Sequence, residues 1–73
     1  MRIEVIVFHH SAPRKYDEVK HYSSREGERK IKIKDPKDRY KYVADYATAE
    51  NMKVIQVDVT PNGAYLIYHL VGE

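Results

Sequence analysis

The chain reads as an α+β domain: a two-layer sandwich with one helix across one face of a mostly antiparallel sheet of four or five strands, in the order βββαββ. Three stretches predict it. Residues 53–71 hold two β-branched and aromatic runs joined by Pro61, Asn62 and Gly63, the pattern of a hairpin. Lys30, Lys32 and Lys34 alternate with Ile31 and Ile33, giving a strand with a lysine face and an isoleucine face. Between them Asp35, Pro36, Lys37 and Asp38 open a helix, with Asp35 as N-cap, Pro36 at the first helical position and Asp38 in the positive first turn.

Taken in order, residues 2–10 form a strand with Ile3, Val5 and Val7 on one face and Ile6 and Phe8 on the other, a pattern that asks for cover on both sides. Residues 11–15 form a loop, because Pro13 has no amide to give a ladder. Residues 16–24 admit two readings. In the first, 18–24 and 29–34 form a hairpin around Arg25, Glu26, Gly27 and Glu28, which accounts for the glycine and for the alternation after it. In the second, 11–26 form a short helix capped by Gly27, with Tyr16, Val19 and Tyr22 or Ser23 as its apolar stripe, and the order becomes βαβαββ. The main helix then runs to about residue 50. Tyr40, Val43, Ala44 and Ala47 face the sheet, Tyr42 and Tyr46 lie to one side, Asn51 takes the left-handed C-terminal position and Met52 supplies the contact that follows it.

In the C-terminal hairpin Ile55, Val57 and Val59 alternate with Gln56 and Asp58, whereas Leu66, Tyr68 and Leu70 share their strand with Tyr65, Ile67 and Val71. A two-residue Asn62-Gly63 loop sets Leu66, Tyr68 and Leu70 across from Val59, Val57 and Ile55. A three-residue turn with a glycine bulge would put Tyr65 and Ile67 on the core face instead. Burial favours the first, since a one-residue slip moves the whole apolar set.

At 73 residues this is a single domain, residues 1–73. A chain of this length buries only about 60% of its unfolded surface, so a partner or a second copy would add to a marginal core. No apolar run approaches the roughly 18 residues of a membrane span, and the first residues carry a strand pattern with an acid in it, unlike a signal peptide. The expectation is a soluble, cytoplasmic protein without a membrane role. The absence of cysteine excludes a disulfide framework, a thiolate nucleophile and Cys-ligated zinc. Gly27, Gly63 and Gly72 build no phosphate loop. His9 and His10 are strand neighbours that point to opposite faces, and His21 and His69 stand apart from them, so these four read as strand-end polar residues. The chain is therefore expected to be no enzyme and to use no cofactor or metal.

What remains are surfaces. Residues 14–41 carry 11 Lys and Arg against 6 Asp and Glu, in a chain whose net charge is only +2. Lys30, Lys32 and Lys34, continued by Lys37, Arg39 and Lys41 and joined by Arg25 and Arg29, are the candidate contacts for an anionic partner, with Tyr40, Tyr42 or Tyr22 able to stack if exposed. Edge-strand lysines also guard against edge-to-edge pairing, which explains the strand lysines but not those of the helix. The second candidate is apolar: Ile6, Phe8, Tyr65, Ile67 and Val71 on the sheet face away from the helix. Seven tyrosines favour an interface, with Tyr22, Tyr42, Tyr46, Tyr65, Arg25, Arg29 and Arg39 as its anchors. The leading reading is a non-enzymatic module that binds a partner protein by surface complementarity. The alternative is direct nucleic-acid binding through the basic middle. Self-association through the uncovered sheet face or an edge strand is expected with either.

The turn at Arg25, Glu26 and Gly27, the short amphipathic strand, the alanine-containing helix, the run Val54-Ile55-Gln56-Val57-Asp58-Val59 and the Asn62-Gly63 turn into Tyr65-Leu66-Ile67-Tyr68 together resemble the small sheet-plus-helix anti-CRISPR proteins of phages that block type I-F surveillance complexes. The resemblance spans roughly the last two-thirds of the chain and is one of pattern, without a diagnostic motif. It implies an inhibitor that occupies the nucleic-acid-binding surface of a large complex in the host cytosol, and it implies no particular site residue. The first strand and the Pro13 loop have no counterpart in it. A designed domain with no natural function is a further reading, against which the histidines and tyrosines stand.

Overall fold

A computed structural model describes residues 1–10, 16–34 and 38–73. Its elements are β1 (Arg2–His9), β2 (Asp17–Ser23), β3 (Gly27–Ile33), α1 (Asp38–Ala49), β4 (Lys53–Val59) and β5 (Tyr65–Gly72). The five strands form one antiparallel sheet in the order β3-β2-β1-β5-β4, and α1 packs against one face, so the α+β class and the order βββαββ hold. The middle segment is a hairpin and no helix. Its connection is shorter than the sequence suggests, because Gly27, at φ +84°, already pairs with Ser23. The Ser23 hydroxyl accepts the amides of Arg25 and Glu26 at 3.1 Å each and closes the bend.

β1 lies at the centre, between β2 and β5, and the register fixes which residues share the helix side. They are Arg2, Glu4, Ile6 and Phe8 of β1, Asp17, Val19 and His21 of β2, and Leu66, Tyr68 and Leu70 of β5. Ile6, Phe8, Val19, Val43, Met52, Tyr68 and Leu70 form the core. The placement of Ile6 and Phe8 on the uncovered face is thus corrected: both are essentially fully buried, and Ile3, Val5 and Val7 look outward. Alternation could not choose between two apolar faces. Bulk does, because Ile6 and Phe8 offer more area to bury than Val5 and Val7, and Phe8 packs edge-to-face with Tyr42 and Tyr68 at 6.1 and 5.7 Å.

α1 shows its C-terminal stop as read from the sequence. Asn51 sits at φ 54°, and the amides of Met52 and Asn51 return to the carbonyls of Ala47 and Thr48 at 2.8 and 3.4 Å, with Met52 buried. Asp35 and Pro36, the proposed start, lie outside the described residues, as does the Pro13 loop. The packed face differs from expectation. Tyr42, Val43, Tyr46 and Ala47 meet the core, whereas Tyr40 is 76% exposed and Ala44 is exposed. Tyrosine buries far more area than alanine once its hydroxyl has a partner, and buried polar groups on β1 and β2 supply those partners.

The C-terminal hairpin follows the favoured register at its closed end, with Leu66 opposite Val59 and Tyr68 opposite Val57. The connection spans residues 61–64: a turn closed by the Gly63 amide on the Thr60 carbonyl at 2.8 Å, with Gly63 at φ +71°. Ala64 follows as one more residue, and the Thr60 amide meets the Tyr65 carbonyl at 3.1 Å, which keeps the apolar sets matched. At the open end the expectation fails. A bulge between Val54 and Gln56 brings Val54, not Ile55, opposite Leu70. In a regular strand Val54 and Val57, three residues apart, would face opposite ways; the bulge puts both on the helix side.

Candidate functional site

The sheet face opposite α1 is open: no described element covers it. Its centre is aliphatic, with Ile3, Val5 and Val7 of β1 beside Val71, His69 and Ile67 of β5. Val5, Val7, Ile67 and Val71 are half-buried among their neighbours and Ile3 is exposed. Tyr22 and Tyr65 flank this band, 41% and 39% exposed, and Tyr65 stacks on His9 with ring centroids 4.4 Å apart. Tyr65, Ile67 and Val71 therefore stand where the sequence placed them, and Ile3, Val5 and Val7 take the place of Ile6 and Phe8.

Among the described residues the basic side chains do not form one patch. Lys30 and Lys32 point to the open face together with Lys20, and Lys32 lies over the Tyr16 ring at 4.8 Å. Lys20 and Lys30 are direct cross-strand partners, like charges side by side, while Lys32 has Glu18 opposite. Cross-strand like charges destabilise a sheet in isolation. An open depression of about 610 Å³ follows this ladder, lined by Glu18, Val19, Lys20, Lys30, Ile31 and Lys32. Lys34 is exposed just beyond β3 and Arg25 is exposed at the bend. Arg29, Arg39 and Lys41 belong to the helix side. Arg29 reaches over the Tyr46 ring at 5.8 Å, Arg39 Nε donates to Asp17 Oδ2 at 2.5 Å, and Lys41 lies 4.0 Å from Asp45. Lys37 is outside the described residues. Tyr42 and Tyr46 are half-buried between helix and sheet, whereas Tyr22 and Tyr65 reach solvent on the open face.

Beneath the helix lies a polar network that sequence reasoning missed. Glu4 is fully buried and receives hydrogen bonds from the Tyr46 hydroxyl and from His21 Nε2, the latter at 2.5 Å. Arg2 Nε faces the second Glu4 oxygen at 2.5 Å, a close charge pair without an aligned N–H. An Arg2 terminal nitrogen donates to the Tyr46 oxygen at 2.9 Å and to Glu50 at 3.3 Å. His21, also fully buried, has Tyr42 and Arg29 at Nδ1, 3.2 and 3.3 Å away. Arg29 has only N–H to offer, so Nδ1 accepts and Nε2–H donates to Glu4. The signal for this network was an acid at an inward position of a central strand, visible only once the register is known.

Burial alone would raise the Glu4 carboxyl; the hydrogen bonds from Tyr46 and His21 and the charge of Arg2 outweigh it and hold the group below its ordinary value. Burial and the bond to Glu4 push the Tyr46 hydroxyl up to about 12. Asp17, 1% exposed, repeats the pattern: Arg39 and His10, at 2.5 and 2.7 Å, overcome its burial and lower it. On the open face Asp58 is lowered by hydrogen bonds from Gln56 and His69. So His10, His21 and His69 each contact a carboxylate, and His9 stacks on Tyr65. Among the described residues no three of His, Asp and Glu are placed to hold a metal ion. Among the described residues no helix is long and apolar enough to cross a membrane.

Comparison with protein-family models, with curated proteins and with solved structures returned no match.

Proposed function

We propose that the protein is a non-enzymatic binding module whose open sheet face docks on a partner protein that is apolar at its centre and acidic along one side. The observation that carries this reading is the opposed pair Lys20 and Lys30, with Lys32 beside it, flanking the aliphatic band of β1 and β5. A carboxylate-bearing partner relieves the lysine repulsion while the band loses its water, so both terms favour the complex. Protein fits better than nucleic acid. The centre of the face is aliphatic and the tyrosines stand at its margins, whereas a base-stacking platform needs aromatic rings along the path of the strand. The lysines also bear on the anti-CRISPR-like alternative, since a basic edge would be repelled by a nucleic-acid-binding surface that is itself cationic. A role without chemistry agrees with the burial of Glu4 and His21 beneath the helix tyrosines, out of a substrate's reach.

The test compares wild type, Ile67→Lys and the pair Lys30→Glu with Lys32→Glu in affinity purification with quantitative mass spectrometry. Expected is one protein lost by both variants and weakened by salt. A partner retained by both variants would overturn the assignment of the face. Mobility shifts with single- and double-stranded DNA and RNA decide the alternative: a steeply salt-dependent shift abolished by the double lysine change would make nucleic acid the ligand.

A further inference from the structure

The two edges of the sheet differ. β3 carries Glu28, Arg29, Lys30 and Lys32 along its length, a charged edge that resists pairing. β4, which among the described residues pairs only with β5, is instead aliphatic on its helix side. Val54, Val57 and Val59 are 41%, 47% and 63% exposed, because α1 packs over β1, β2 and β5 and stops short of them. Between helix and strand runs an open groove of about 410 Å³, lined by Tyr40, Val43, Ala44, Val54, Val57 and Tyr68. No described element pairs with the outer backbone of β4, and an edge strand with bare valines invites another strand.

The geometry points to a second copy of this chain as the occupant, with β4 pairing antiparallel to the partner's β4 about a two-fold axis between Ile55 and Gln56. In that register Val54 lies opposite the partner's Val57, and Lys53 lies opposite the partner's Asp58, each contact occurring twice. The bulge makes the register workable. Lys53 pairs with Val71 and Asp58 with Ile67 on the open side, whereas Val54 and Val57 pair with Leu70 and Tyr68 on the core side. Without the extra residue, positions three or five apart would face opposite ways and neither cross-pair could form. Slipping the axis onto Asp58 would set two carboxylates against each other, so charge also selects the register. The axis is perpendicular to the sheet, so both helices lie on one side. Tyr40 and Ala44 of each copy then wall a shared trough over the valines. A standard interface needs roughly 800 Å² per partner, about 15% of this chain's 5208 Å². The surface offered to it is a seven-residue strand and one helix flank.

This inference stands apart from the open-face reading, because it uses the edge and the helix side. The test is molar mass by light scattering over a concentration series, with folding followed by circular dichroism. Wild type should reach twice the 8.6 kDa chain mass at high micromolar concentration. Val57→Lys, at a half-exposed site, should remain folded and monomeric. Lys53→Asp and Asp58→Lys should each weaken the dimer by roughly fivefold to tenfold, and the two together should restore it. The restoration separates the cross-pair from any loss at Gln56 and His69, which Asp58 also contacts. Lys30→Glu and Ile67→Lys should leave the mass unchanged. A monomeric wild type, a dimer that survives Val57→Lys, a double exchange no better than its singles, or a dimer lost with Ile67→Lys would each overturn the proposal.

Discussion

Glu4 is the residue on which the helix and sheet depend together, since Arg2, His21 and Tyr46 all converge on it. Glu4→Ala leaves those groups buried without their acceptor and should cost roughly 3–5 kcal/mol, comparable to the whole stability of a small domain. Chemical denaturation should show a largely unfolded variant, and Glu4→Gln, which keeps an acceptor, a milder loss. The same carboxylates set the pH dependence. Glu4 and Asp17 lie below their ordinary values of 4.5 and 3.8 in the fold. On acidification the unfolded chain takes up their protons first, so their contribution is complete above those values and is lost as pH falls through the lowered ones. Melting temperature should therefore drop below about pH 4, and less steeply in Glu4→Gln. A melting temperature flat from neutral to strongly acid pH would remove these carboxylates from the stability of the fold.

At the scale of elements, the helix C-terminus and β1 give the sharpest expectations. Asn51 holds a left-handed conformation that a branched side chain resists, so Asn51→Val should lose roughly 1–2 kcal/mol and Asn51→Gly should lose nothing. Equal stability of the two variants would show that the helix stop lies elsewhere. Phe8 and Ile67 sit on opposite faces of neighbouring strands and separate folding from binding. Phe8→Ala should destabilise by about 3–5 kcal/mol. Ile67→Lys, on the open face, should leave the denaturation midpoint nearly unchanged. Both changes affect residues that the sequence alone assigned to one face, and only the packing of Phe8 against Tyr42 and Tyr68 divides them.

For the molecule as a whole, strand order predicts a gradient of protection. β2, β1 and β5 are paired on both sides, β3 and β4 on one. Amide hydrogen exchange should be slowest in the three inner strands β2, β1 and β5 and faster at the edges, with β4 slowing at high protein concentration if the second copy pairs there. Uniform protection across the sheet would contradict this order. The off-centre helix links stability and binding. By leaning toward β2 it secures the Glu4 and Asp17 contacts through Tyr46 and Arg39, and in doing so it leaves the valines of β4 bare.

Local pattern by itself determined β1, β3, β4, β5, the helix and its Asn51 stop, because periodicity, turn residues and caps act over a few neighbouring positions. It left residues 16–24 open between strand and helix, and burial rather than turn chemistry favoured the register at the closed end of the C-terminal hairpin. The lysine and isoleucine faces of β3 were legible from periodicity as well. Which face of β1 is core, which tyrosines pack and where β4 bulges were not, since each depends on competition between surfaces distant in sequence. The candidate site divided along the same line. Lys30 and Lys32 could be read from alternation and Tyr65 and Ile67 from the favoured hairpin register, whereas the place of Tyr22, and Lys20 as the opposed neighbour of Lys30, required the register of β2. The Glu4 and His21 network was hidden most completely. A charged residue on a strand reads as exposed until tertiary structure supplies the partners, here 17 and 42 positions away, that make its burial affordable.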